Sequence, residues 1–346
     1  MSQPSAGVQG LPHMPAPVQR LNQLLLGQFI ARSVGLAAEL GIADLLRDGA
    51  LSLTELAERT RSNPDALYRV LRALAAVEVF EERPGKHFAN SELSTFLRTD
   101  VDGSLAAMAR WLVDASGWAA WGRLDHSVRT GKPAFDEVLG SDCFACLERH
   151  PASLEVFQAA MTSYSALTSS AVLDAYDFSG VGVLLDVGGG HGSLLSKILD
   201  RTPSLSGILF DRAEVVAGAS EHVRRHGQRL RVESGNFLER VPSGADAILL
   251  KHVLHDWDDA KCATLLGLCR RSLPEGGRLL VVESILTDRP EATFGKFLDL
   301  EMLVVTPGGR ERTRDELSQL LSAAHFELGR VLPTRSPVSI LEATAR

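Results

Sequence analysis

The hydrophobic pattern in the first third of the chain is helical. From Leu21 to Leu46, apolar residues recur at helical spacing and on more than one face. A helix that is apolar nearly all round needs a partner to cover it. We expect this helix to form a subunit interface, with packing against other parts of the same chain as the alternative.

The next segment predicts two short helices followed by a two-stranded ribbon. Thr54 stands where it could cap the first helix, and Asn63-Pro64 is a typical start for the second. The residues "VFEERPGKHFAN" then indicate two strands around a Pro-Gly turn. This order is typical of a winged helix, a module that can bind DNA. The second helix offers only Arg69 and Arg72 among many apolar residues, which disfavours DNA binding.

Helical spacing continues from Ala106 to Leu173, and this stretch is rich in aromatic residues. Such side chains are usually core residues, but they can also line an apolar pocket. The sequence leaves both interpretations open for this stretch.

After Val181, short apolar runs alternate with helical stretches. The runs include "VLLDV", "GILFD", "RLRVESGNF", "ADAILLKHV" and "RLLVVESIL". That alternation predicts βαβ units and a doubly wound parallel sheet. The final runs "FELGRVLPTR" and "VSILEATA" predict a closing hairpin. In such sheets, ligands bind beyond the carboxyl ends of the strands.

A glycine-rich loop follows the first predicted strand of this sheet. The motif "LLDVGGGHGSLL" places Gly188 and Gly190 between strand and helix, where glycine permits a sharp turn and close approach to a ligand. Ser193 stands at the sixth position of the dinucleotide pattern G-x-G-x-x-G, and no Walker lysine follows. The loop therefore indicates a ligand other than a dinucleotide or a nucleoside triphosphate.

The next two strand ends carry residues suited to an adenosine group. Asp211 ends the second strand, where a carboxylate can accept hydrogen bonds from both ribose hydroxyls. The alternative is that Asp211 caps the helix after it. Gly235, Asn236 and Phe237 end the third strand, where an amide can meet the adenine amino group and an aromatic ring can cover its face.

The fourth strand ends in the cluster "KHVLHDWDD", residues 251–259. His255 lies at the carboxyl end of the strand, and histidine titrates near neutral pH, so it could take a proton from a phenol or alcohol. His252 lies three residues earlier, and strand alternation would place it on the opposite face. Asp258 or Asp259 is well placed to cap the following helix.

Two acids come later in the chain at positions similar to that of His255. Glu283 ends the fifth strand, and Glu311 lies in "GGRERT". A carboxylate bonded to one imidazole nitrogen fixes the tautomer and stabilises the imidazolium. We therefore expect His255 to pair with a glutamate.

Charge and cysteine content narrow the possible partners. The 346 residues have a net charge of −7, which disfavours nucleic acid as a partner and weakly favours a cationic small molecule.

Residues 1–17 lack the apolar region of a signal peptide. The sequence contains no run of about 18 apolar residues, so we expect no membrane span. Cys143 and Cys146 have metal or redox spacing, but nothing completes a zinc set, and we interpret them as apolar side chains on helices. These features favour the reduced cytoplasm and predict no metal.

The sequence resembles the S-adenosylmethionine-dependent O-methyltransferases of the plant caffeic-acid and bacterial polyketide (anthracycline) type. The resemblance extends from about Gln19 to the C-terminus and rests on the N-terminal helical module and on "LLDVGGGHGSLL", "LFD", "LLKHVLHDWDD", "VVES" and "LDLEMLVVTPGGRERT". It implies an α/β fold with a doubly wound, Rossmann-like methyltransferase domain. It also implies an N-terminal winged-helix domain that forms a homodimer and does not bind DNA.

The resemblance and the patterns together predict three parts. Residues 1–17 form a flexible tail, and residues 18–105 form the winged-helix-like dimerisation domain. Residues 106–346 form the methyltransferase domain, with a helical pocket-lining linker at 106–173 and a Rossmann-like core at 174–346.

The resemblance further implies roles for individual residues. His255 would be the general base, flanked by Glu283 and Glu311. The cofactor-binding residues would be Ser165, Gly188, Gly190, Asp211, Arg212, Gly235, Asn236, Phe237 and Lys251. The acceptor-binding residues would be Phe157, Met161, Asp256, Met302 and Thr306.

Two positions depart from the usual pattern of this family. Asn236 stands where the family usually has Asp, although an amide oxygen can still accept a hydrogen bond from the adenine amine. Arg212-Ala213 replaces the usual Leu-Pro after Asp211, which alters the loop beside the ribose.

These features predict an enzyme that transfers a methyl group from S-adenosylmethionine to a hydroxyl, phenolic by preference, of an aromatic small molecule in secondary metabolism. An alternative keeps the fold and uses the bound cofactor as a placed cation for hydroxylation, decarboxylation or a pericyclic step. The complete set of His255, Glu283 and Glu311 favours methyl transfer. A third interpretation is a winged-helix regulator that senses a small molecule.

Overall fold

The computed structural model describes residues 14–289 and 293–346, apart from the side chains of residues 166 and 167. Of the predicted tail, residues 1–13 lie outside the described residues. The first helix begins at Ala16, so it includes the last two residues of the predicted tail.

The chain forms two compact units. The first contains the residues up to Trp118 together with Leu147–Tyr164, and the second contains Ala119–Cys146 and Ser165–Arg346. Part of the helical stretch after residue 105 thus groups with the N-terminal residues. The domain boundaries deduced from the sequence stay a prediction.

The first unit combines short helices with a small antiparallel sheet. Its helices include α1 (Ala16–Glu39), α2 (Ile42–Leu45), α3 (Leu53–Thr60), α4 (Pro64–Ala75), α5 (Glu92–Thr95) and α6 (Ala106–Trp111). Its strands are β1 (Leu51–Ser52), β2 (Phe80–Arg83) and β3 (His87–Asn90), in the order β1-β3-β2. The predicted helix pair and ribbon are confirmed, and β1 adds a third strand to the ribbon.

Helix α3 begins differently from the prediction. Its N-cap is Ser52 and not Thr54, because the Ser52 hydroxyl accepts a hydrogen bond from the Glu55 backbone N–H at 3.3 Å. The Glu55 carboxylate in turn accepts one from the Ser52 backbone N–H at 2.9 Å. This reciprocal capping box leaves Thr54 inside the first turn. At α4, Asn63 caps the helix and Pro64 begins it, as predicted.

Helix α1 is buried near one end and apolar but exposed near the other. Gly35 and Ala37, in its last turns, are buried. Toward its start, five apolar side chains are 45–62% exposed, namely Val18, Leu21, Leu24, Leu25 and Phe29. Packing inside the chain thus accounts for the end of α1, and the exposed face is the surface that a subunit interface would cover.

Helices also fill the middle of the chain. They are α7 (Ala115–Trp121), α8 (Leu124–Thr130), α9 (Ala134–Leu139), α10 (Cys143–Arg149) and α11 (Pro151–Ala175). This confirms the helical pattern predicted from Ala106 to Leu173. Cys143 and Cys146 lie on α10, where both are buried and not disulfide-bonded, in agreement with their interpretation as apolar side chains.

The second unit is built on a seven-stranded sheet, with a separate pair of short strands. The strands are β4 (Val183–Val187), β5 (Ser206–Asp211), β6 (Leu230–Ser234), β7 (Ala247–Lys251), β8 (Arg278–Glu283), β9 (Ile285–Leu286), β10 (Arg312–Thr313), β11 (Phe326–Pro333) and β12 (Ser339–Ala345). The large sheet has the order β11-β12-β8-β7-β4-β5-β6. Strands β4 to β8 pair in parallel, and β12 is antiparallel to both β8 and β11. The doubly wound sheet and the closing hairpin are confirmed, whereas the parallel pair β9 and β10 was not predicted.

Helices lie between successive strands of the second unit. They are α12 (Ser193–Arg201), α13 (Ala213–Val216), α14 (Ser220–His226), α15 (Asp259–Ser272), α16 (Phe294–Val305) and α17 (Arg314–Ala323). In the described part of the chain, no helix has both the length and the apolar character needed to cross a membrane.

The core occupies both faces of the large sheet. On β7, Leu250 belongs to a cluster that includes Leu265 of α15, while its neighbour Leu249 belongs to a cluster that includes Leu195 of α12. A strand buried on both faces has no polar alternation, which explains the continuous apolar runs in the sequence.

The strand order positions the functional site. Strands β4 to β8 are parallel, so their carboxyl ends lie at one edge of the sheet. The chain proceeds outward from β4 on one side through β5 and β6 and on the other through β7 and β8. Ligands bind in the crevice at such a reversal of strand order.

Gly35 lies where α1 packs closely against Ala109 and Val113. A Cβ at this position would lie 2.1 Å from Cγ2 of Val113 and 2.8 Å from the carbonyl oxygen of Ala109. Because a backbone oxygen cannot simply rotate away, Gly35→Ala should lower the free energy of unfolding by about 1–3 kcal/mol in urea denaturation.

The matched control for this experiment is Gly267→Ala. Gly267 lies inside α15, and its added Cβ would meet only Nη1 of Arg271, at 3.6 Å. Since alanine favours the helix, this variant should be as stable as the wild type or more stable by up to about 1 kcal/mol. Equal stabilities for the two variants would contradict the close packing at Gly35.

Candidate active site

The glycine loop after β4 is packed at one residue and open at another. Gly188 and Gly190 have φ angles of +69° and +61°, a region that glycine adopts without strain. A Cβ at Gly188 would lie 2.8 Å from Cγ2 of Val253 and 3.7 Å from the ring of Phe237. A Cβ at Gly190 would meet nothing within 4 Å among the residues that the structure describes. The loop therefore leaves open space beside Gly190.

Asp211, at the end of β5, is fixed against this loop. Its Oδ2 accepts a hydrogen bond from the Gly190 N–H at 2.9 Å, and its Oδ1 accepts one from the Arg212 N–H at 2.7 Å. Burial raises the pKa of the Asp211 carboxyl, while these two N–H groups act to lower it. Helix α13 has Arg212 at its N-cap and no side-chain cap, so Asp211 does not cap it.

Gly235 and Asn236 follow β6 beside Asp211. The Gly235 N–H donates to the Asp211 carbonyl oxygen at 3.0 Å. Asn236 Oδ1 accepts from the Leu238 N–H, and Asn236 Nδ2 donates to Glu239, each at 2.9 Å. The amide of Asn236 is thus held by its own turn, with its oxygen used as an acceptor.

Three aromatic rings lie together near these strand ends. The ring centroids of Phe237 and Trp257 are 6.1 Å apart with edge-to-face geometry, and those of Phe144 and Trp257 are 6.4 Å apart and stacked. The Arg212 guanidinium lies 5.9 Å from the Phe144 centroid, and the Lys261 ammonium lies 4.6 Å from that of Trp257. The three rings thus form an apolar surface near the ends of β6 and β7, with the cationic side chains of Arg212 and Lys261 beside it.

Lys251 ends β7 next to Ser165 and a buried acid. Its Nζ donates to Ser165 Oγ at 3.2 Å. Burial lowers the Lys251 pKa to about 8 against the opposing effect of Asp186, whose own pKa burial raises to about 7. The Asp186 carboxylate lies directly below the glycine loop, since a Cβ at Gly189 would approach it to 2.6 Å.

His255 lies just beyond β7, in a 3-10 turn formed by Leu254–Asp256, and is 8% exposed. Its Nδ1 is 2.7 Å from Oε1 of Glu311 and 3.8 Å from Oε2 of Glu283. Its Nε2 is 3.6 Å from Oδ1 of Asp256. The structure therefore brings His255 together with both predicted acids, and Glu311 makes the hydrogen bond.

Glu283, the last residue of β8, holds the backbone before His255. Its Oε1 accepts hydrogen bonds from the N–H groups of Val253 and Leu254 at 3.1 and 3.0 Å. Its Oε2 is buried and has no hydrogen-bond partner among the described residues. Burial raises the Glu283 pKa to about 7, although His255 acts in the opposite direction.

The carboxylates around His255 favour its protonated form. Burial is the largest single influence and lowers the His255 pKa, but Glu283, Asp256 and Glu311 together outweigh it and raise the pKa to about 10. Only neutral His255 can act as a base. Its protonation state depends on the balance between burial, which lowers its pKa, and the three nearby acids, which raise it.

The prediction for His252 is wrong. Strand alternation was expected to place it opposite His255, but β7 ends at Lys251 and His252 has a φ of +52°. This left-handed residue breaks the alternation, and the two histidine ring centroids lie 5.1 Å apart. His252 Nδ1 is 3.7 Å from Oε2 of Glu283, so both imidazoles lie beside the same acid.

The acids after the turn have structural roles. Asp258 caps α15, with its Oδ1 accepting from the Lys261 N–H at 2.8 Å, as expected for one of the two candidates.

The thiol of Cys262, in the first turns of the same helix, donates to the Leu254 carbonyl oxygen at 3.3 Å. Burial raises the Cys262 pKa to about 11.

Besides Asp256, two predicted acceptor-binding residues lie in the same unit as His255. Met302 and Thr306, at the end of α16, are 7% and 5% exposed. A Cβ at Gly309 would lie 2.2 Å from Thr306 Oγ1 and 2.6 Å from the His255 carbonyl oxygen, so the Thr306 segment packs against the turn.

The other two lie in the first unit, on α11. Phe157 packs edge-to-face against Trp111, with ring centroids 4.9 Å apart, and Met161 is 36% exposed. Their role as pocket residues stays a prediction.

Sequence reasoning missed three residues of the site. Asp186 is buried under the glycine loop, Trp257 forms the aromatic cluster, and Arg312 follows the predicted Glu311 and is fully buried. All three stand inside motifs that had been singled out, but only for their neighbours. A charged residue in a short polar segment gives no sequence signal of burial, which is why Arg312 was missed.

The sequence also failed to find a possible set of metal ligands. His252, His255 and Glu283 each offer one ligand atom, and these atoms lie within 4.8 Å of one another. The same atoms make the pairings described above, and we assign no metal to them.

Comparison with known proteins identifies the family. Residues 121–327 match the O-methyltransferase domain, and residues 22–100 match the O-methyltransferase dimerisation domain. The chain is 40% identical over 325 residues to phenazine O-methyltransferase PhzM of Lysobacter antibioticus, covering 93% of this chain and 95% of that protein. It is 37% identical over 350 residues to aclacinomycin 10-hydroxylase RdmB of Streptomyces purpurascens, covering 94% and 91% of the two chains.

A solved structure with the cofactor bound has a similar fold. The crystal structure of human N-acetylserotonin methyltransferase in complex with S-adenosylmethionine matches with a TM-score of 0.89 and 29% identity, covering 96% of this chain and 99% of that one. The predicted resemblance is thereby confirmed over nearly the whole chain. The chain belongs to the S-adenosylmethionine-dependent O-methyltransferase family and is an enzyme of that class.

Proposed function

We propose that this enzyme methylates a hydroxyl group, phenolic by preference, of an aromatic small molecule, with His255 as the general base. The observation that carries the proposal is the hydrogen bond of 2.7 Å between His255 Nδ1 and Glu311 Oε1. When the neutral imidazole donates its Nδ1–H to Glu311, the lone pair is on Nε2 and is available for a proton from the acceptor.

The residues at the sheet edge fit S-adenosylmethionine. The loop at Gly188 and Gly190 leaves open space beside a carboxylate, Asp211, that suits ribose hydroxyls. Gly235, Asn236 and Phe237 would hold the adenine, and Lys251 and Ser165 would hold the methionine part. The Arg212 side chain would border the same space. When bound, this cofactor supplies a methyl group on a positively charged sulfur.

His255 would accept the proton of the acceptor, and the acids around it would stabilise and position the imidazolium that forms. His255 Nε2 takes the proton of the acceptor hydroxyl, which makes the oxygen a better nucleophile, and such help is worth about 10²–10⁴-fold in rate. Glu311 stabilises the imidazolium that forms, and Glu283 fixes the backbone before it. The burial of all three side chains keeps water away from the reacting oxygen.

An aromatic acceptor is supported by the relatives and by the apolar residues near the turn. Met302 and Thr306 would line its pocket, and Asp256 would face it from beside His255 Nε2. The match to a phenazine O-methyltransferase supports a planar aromatic acceptor from secondary metabolism.

We also propose that the enzyme is a cytoplasmic homodimer. The exposed apolar face of α1 lies within the region that matches the dimerisation domain, apart from its first turns. A second copy would remove these side chains from water. The four cysteines, all buried and without disulfides, support a reducing compartment.

His255→Ala should lower kcat at least about a hundredfold, because the acceptor loses its base. Binding of S-adenosylmethionine, measured by isothermal titration calorimetry, should survive. The matched control is His222→Ala, a histidine on α14 outside the site, which should keep the wild-type rate. A near wild-type rate for the His255 variant would exclude this residue as the base.

Glu311→Gln should change the pH dependence of kcat/KM in a defined direction. Only neutral His255 accepts a proton, so the rate rises with pH as the imidazolium titrates, above its ordinary value of 6.5. Removing the Glu311 charge lowers the His255 pKa and moves this rise to lower pH. The plateau should fall by about 10²-fold, because the tautomer is no longer fixed.

The control for the pH experiment is Glu275→Gln, which changes an exposed glutamate that precedes β8, at the opposite end of that strand from Glu283. Its profile should coincide with that of the wild type. A rise that stays in place or moves to higher pH in Glu311→Gln would argue against the pairing of Glu311 with His255.

The match to a hydroxylase supports a second candidate function, a non-methylating reaction that uses the bound cofactor. Stoichiometry separates the two. Methyl transfer should release one S-adenosylhomocysteine per product, whereas the alternative should consume the acceptor without releasing any. Chromatography of a reaction with a panel of polycyclic phenols measures both quantities, and a mass increase of one methyl group identifies the product.

A further inference from the structure

Arg312 is a buried charge that the proposed chemistry does not use. Its side chain is 1% exposed, and it lies on the short strand β10 directly after Glu311. An arginine is almost never fully buried unless its charge and its N–H groups are paired. Its partners therefore indicate its role.

The Arg312 guanidinium binds both ends of the turn that carries His255. Nη1 donates to the Leu254 carbonyl oxygen at 2.9 Å, and Nη2 donates to the Trp257 carbonyl oxygen at 2.7 Å. These residues lie immediately before and two positions after His255. One rigid, planar group thus spans the turn.

Asp259 supplies the counter-charge. Its Oδ1 accepts from Nε and Nη2 of Arg312 at 3.1 and 2.8 Å. The other carboxylate oxygen, Oδ2, accepts from the half-exposed side chain of Arg310 at 2.7 Å. Asp259 therefore orients Arg312 from the first residue of α15.

Glu311 is fixed independently of this fork. Its backbone N–H donates to Oδ1 of Asp299 on α16 at 2.9 Å. The Glu311 backbone is thus held by α16. Arg312, the next residue, has a backbone continuous with that of Glu311 and a side chain that binds the His255 turn, so it helps to set the distance between Glu311 and His255.

We propose that Arg312 is a positioning residue that clamps the Leu254–Trp257 turn and thereby keeps His255 Nδ1 on Glu311. This inference rests on the proposed role of His255 as the base. None of the hydrogen bonds that Arg312 makes with described residues goes to His255, so Arg312 would act through the geometry of the turn. A displacement of about 1 Å in a reacting group can cost 10²-fold in rate, so loss of the clamp should affect turnover strongly.

The test compares Arg312→Gln and Arg312→Lys with Arg310→Gln. Both glutamine variants lose an ion pair with Asp259, but only the change at 312 releases the two turn carbonyls. Lysine keeps the charge but cannot span both carbonyls and Asp259, because its donors sit on one atom. All rates are normalised to the folded fraction determined by circular dichroism.

Arg312→Gln should lower kcat by about tenfold or more, with the KM for the cofactor within about twofold of the wild type. Arg312→Lys should lose nearly as much, and Arg310→Gln should stay within about twofold. The pH profile of Arg312→Gln should move to lower pH, as expected for Glu311→Gln, because the same hydrogen bond is loosened. A purely structural role would lower only the folded fraction and leave the profile in place.

A double-mutant cycle provides the decisive measurement. If Arg312 acts through the His255–Glu311 bond, then Arg312→Gln should cost less than about twofold in kcat in a Glu311→Gln background. Full additivity of the two losses would overturn the proposal, and so would a wild-type kcat and pH profile in folded Arg312→Gln. The His255→Ala variant in the same assay separates the two hypotheses. An inactive His255 variant beside a fully active Arg312 variant overturns only the clamp, whereas an active His255 variant overturns the base itself.

Discussion

The hydrogen bond between His255 and Glu311 is the interaction on which the proposed chemistry depends, and it joins segments 56 residues apart. It forms in a buried environment, where an ionised carboxylate and an imidazolium stabilise each other far more than in water. The same burial makes the pair sensitive to geometry, since an unpaired charge there is costly. The surrounding structure can be understood as the means of keeping these two side chains together.

The parallel sheet provides the framework for that pairing. It delivers the loop at Gly188, the carboxylate of Asp211, Lys251 and Glu283 to one edge, each from a different strand. Because all five parallel strands end there, the cofactor-side residues and the base-side residues share one crevice. Glu283 connects the two sides, as its carboxylate binds the backbone that leads from Lys251 to His255.

The sequence predicted this framework well because its signals are local. Continuous apolar runs marked the strands, glycines marked the loop, and the positions of His255 and Glu283 after such runs placed them near the carboxyl ends of strands. Conformation at single residues was harder to predict. His252 was assigned to the wrong face because nothing in the sequence predicts a residue with a left-handed backbone conformation directly after a strand. Ser52 and Thr54 are both good caps, and only the reciprocal bond with Glu55 distinguishes them. Arg312 was missed because its burial depends on carbonyl groups contributed by a distant turn.

The thiol of Cys262 gives the turn a further chemical property. A thiolate is a stronger nucleophile than a phenol, so an ionised cysteine near an activated methyl group would compete for it and inactivate the enzyme. Cys262 gives its S–H to the carbonyl oxygen of Leu254, the residue before the base, and burial raises its pKa to about 11. At neutral pH this sulfur remains protonated and unreactive. The packing that orients the base thus also keeps this sulfur in its protonated, weakly nucleophilic form.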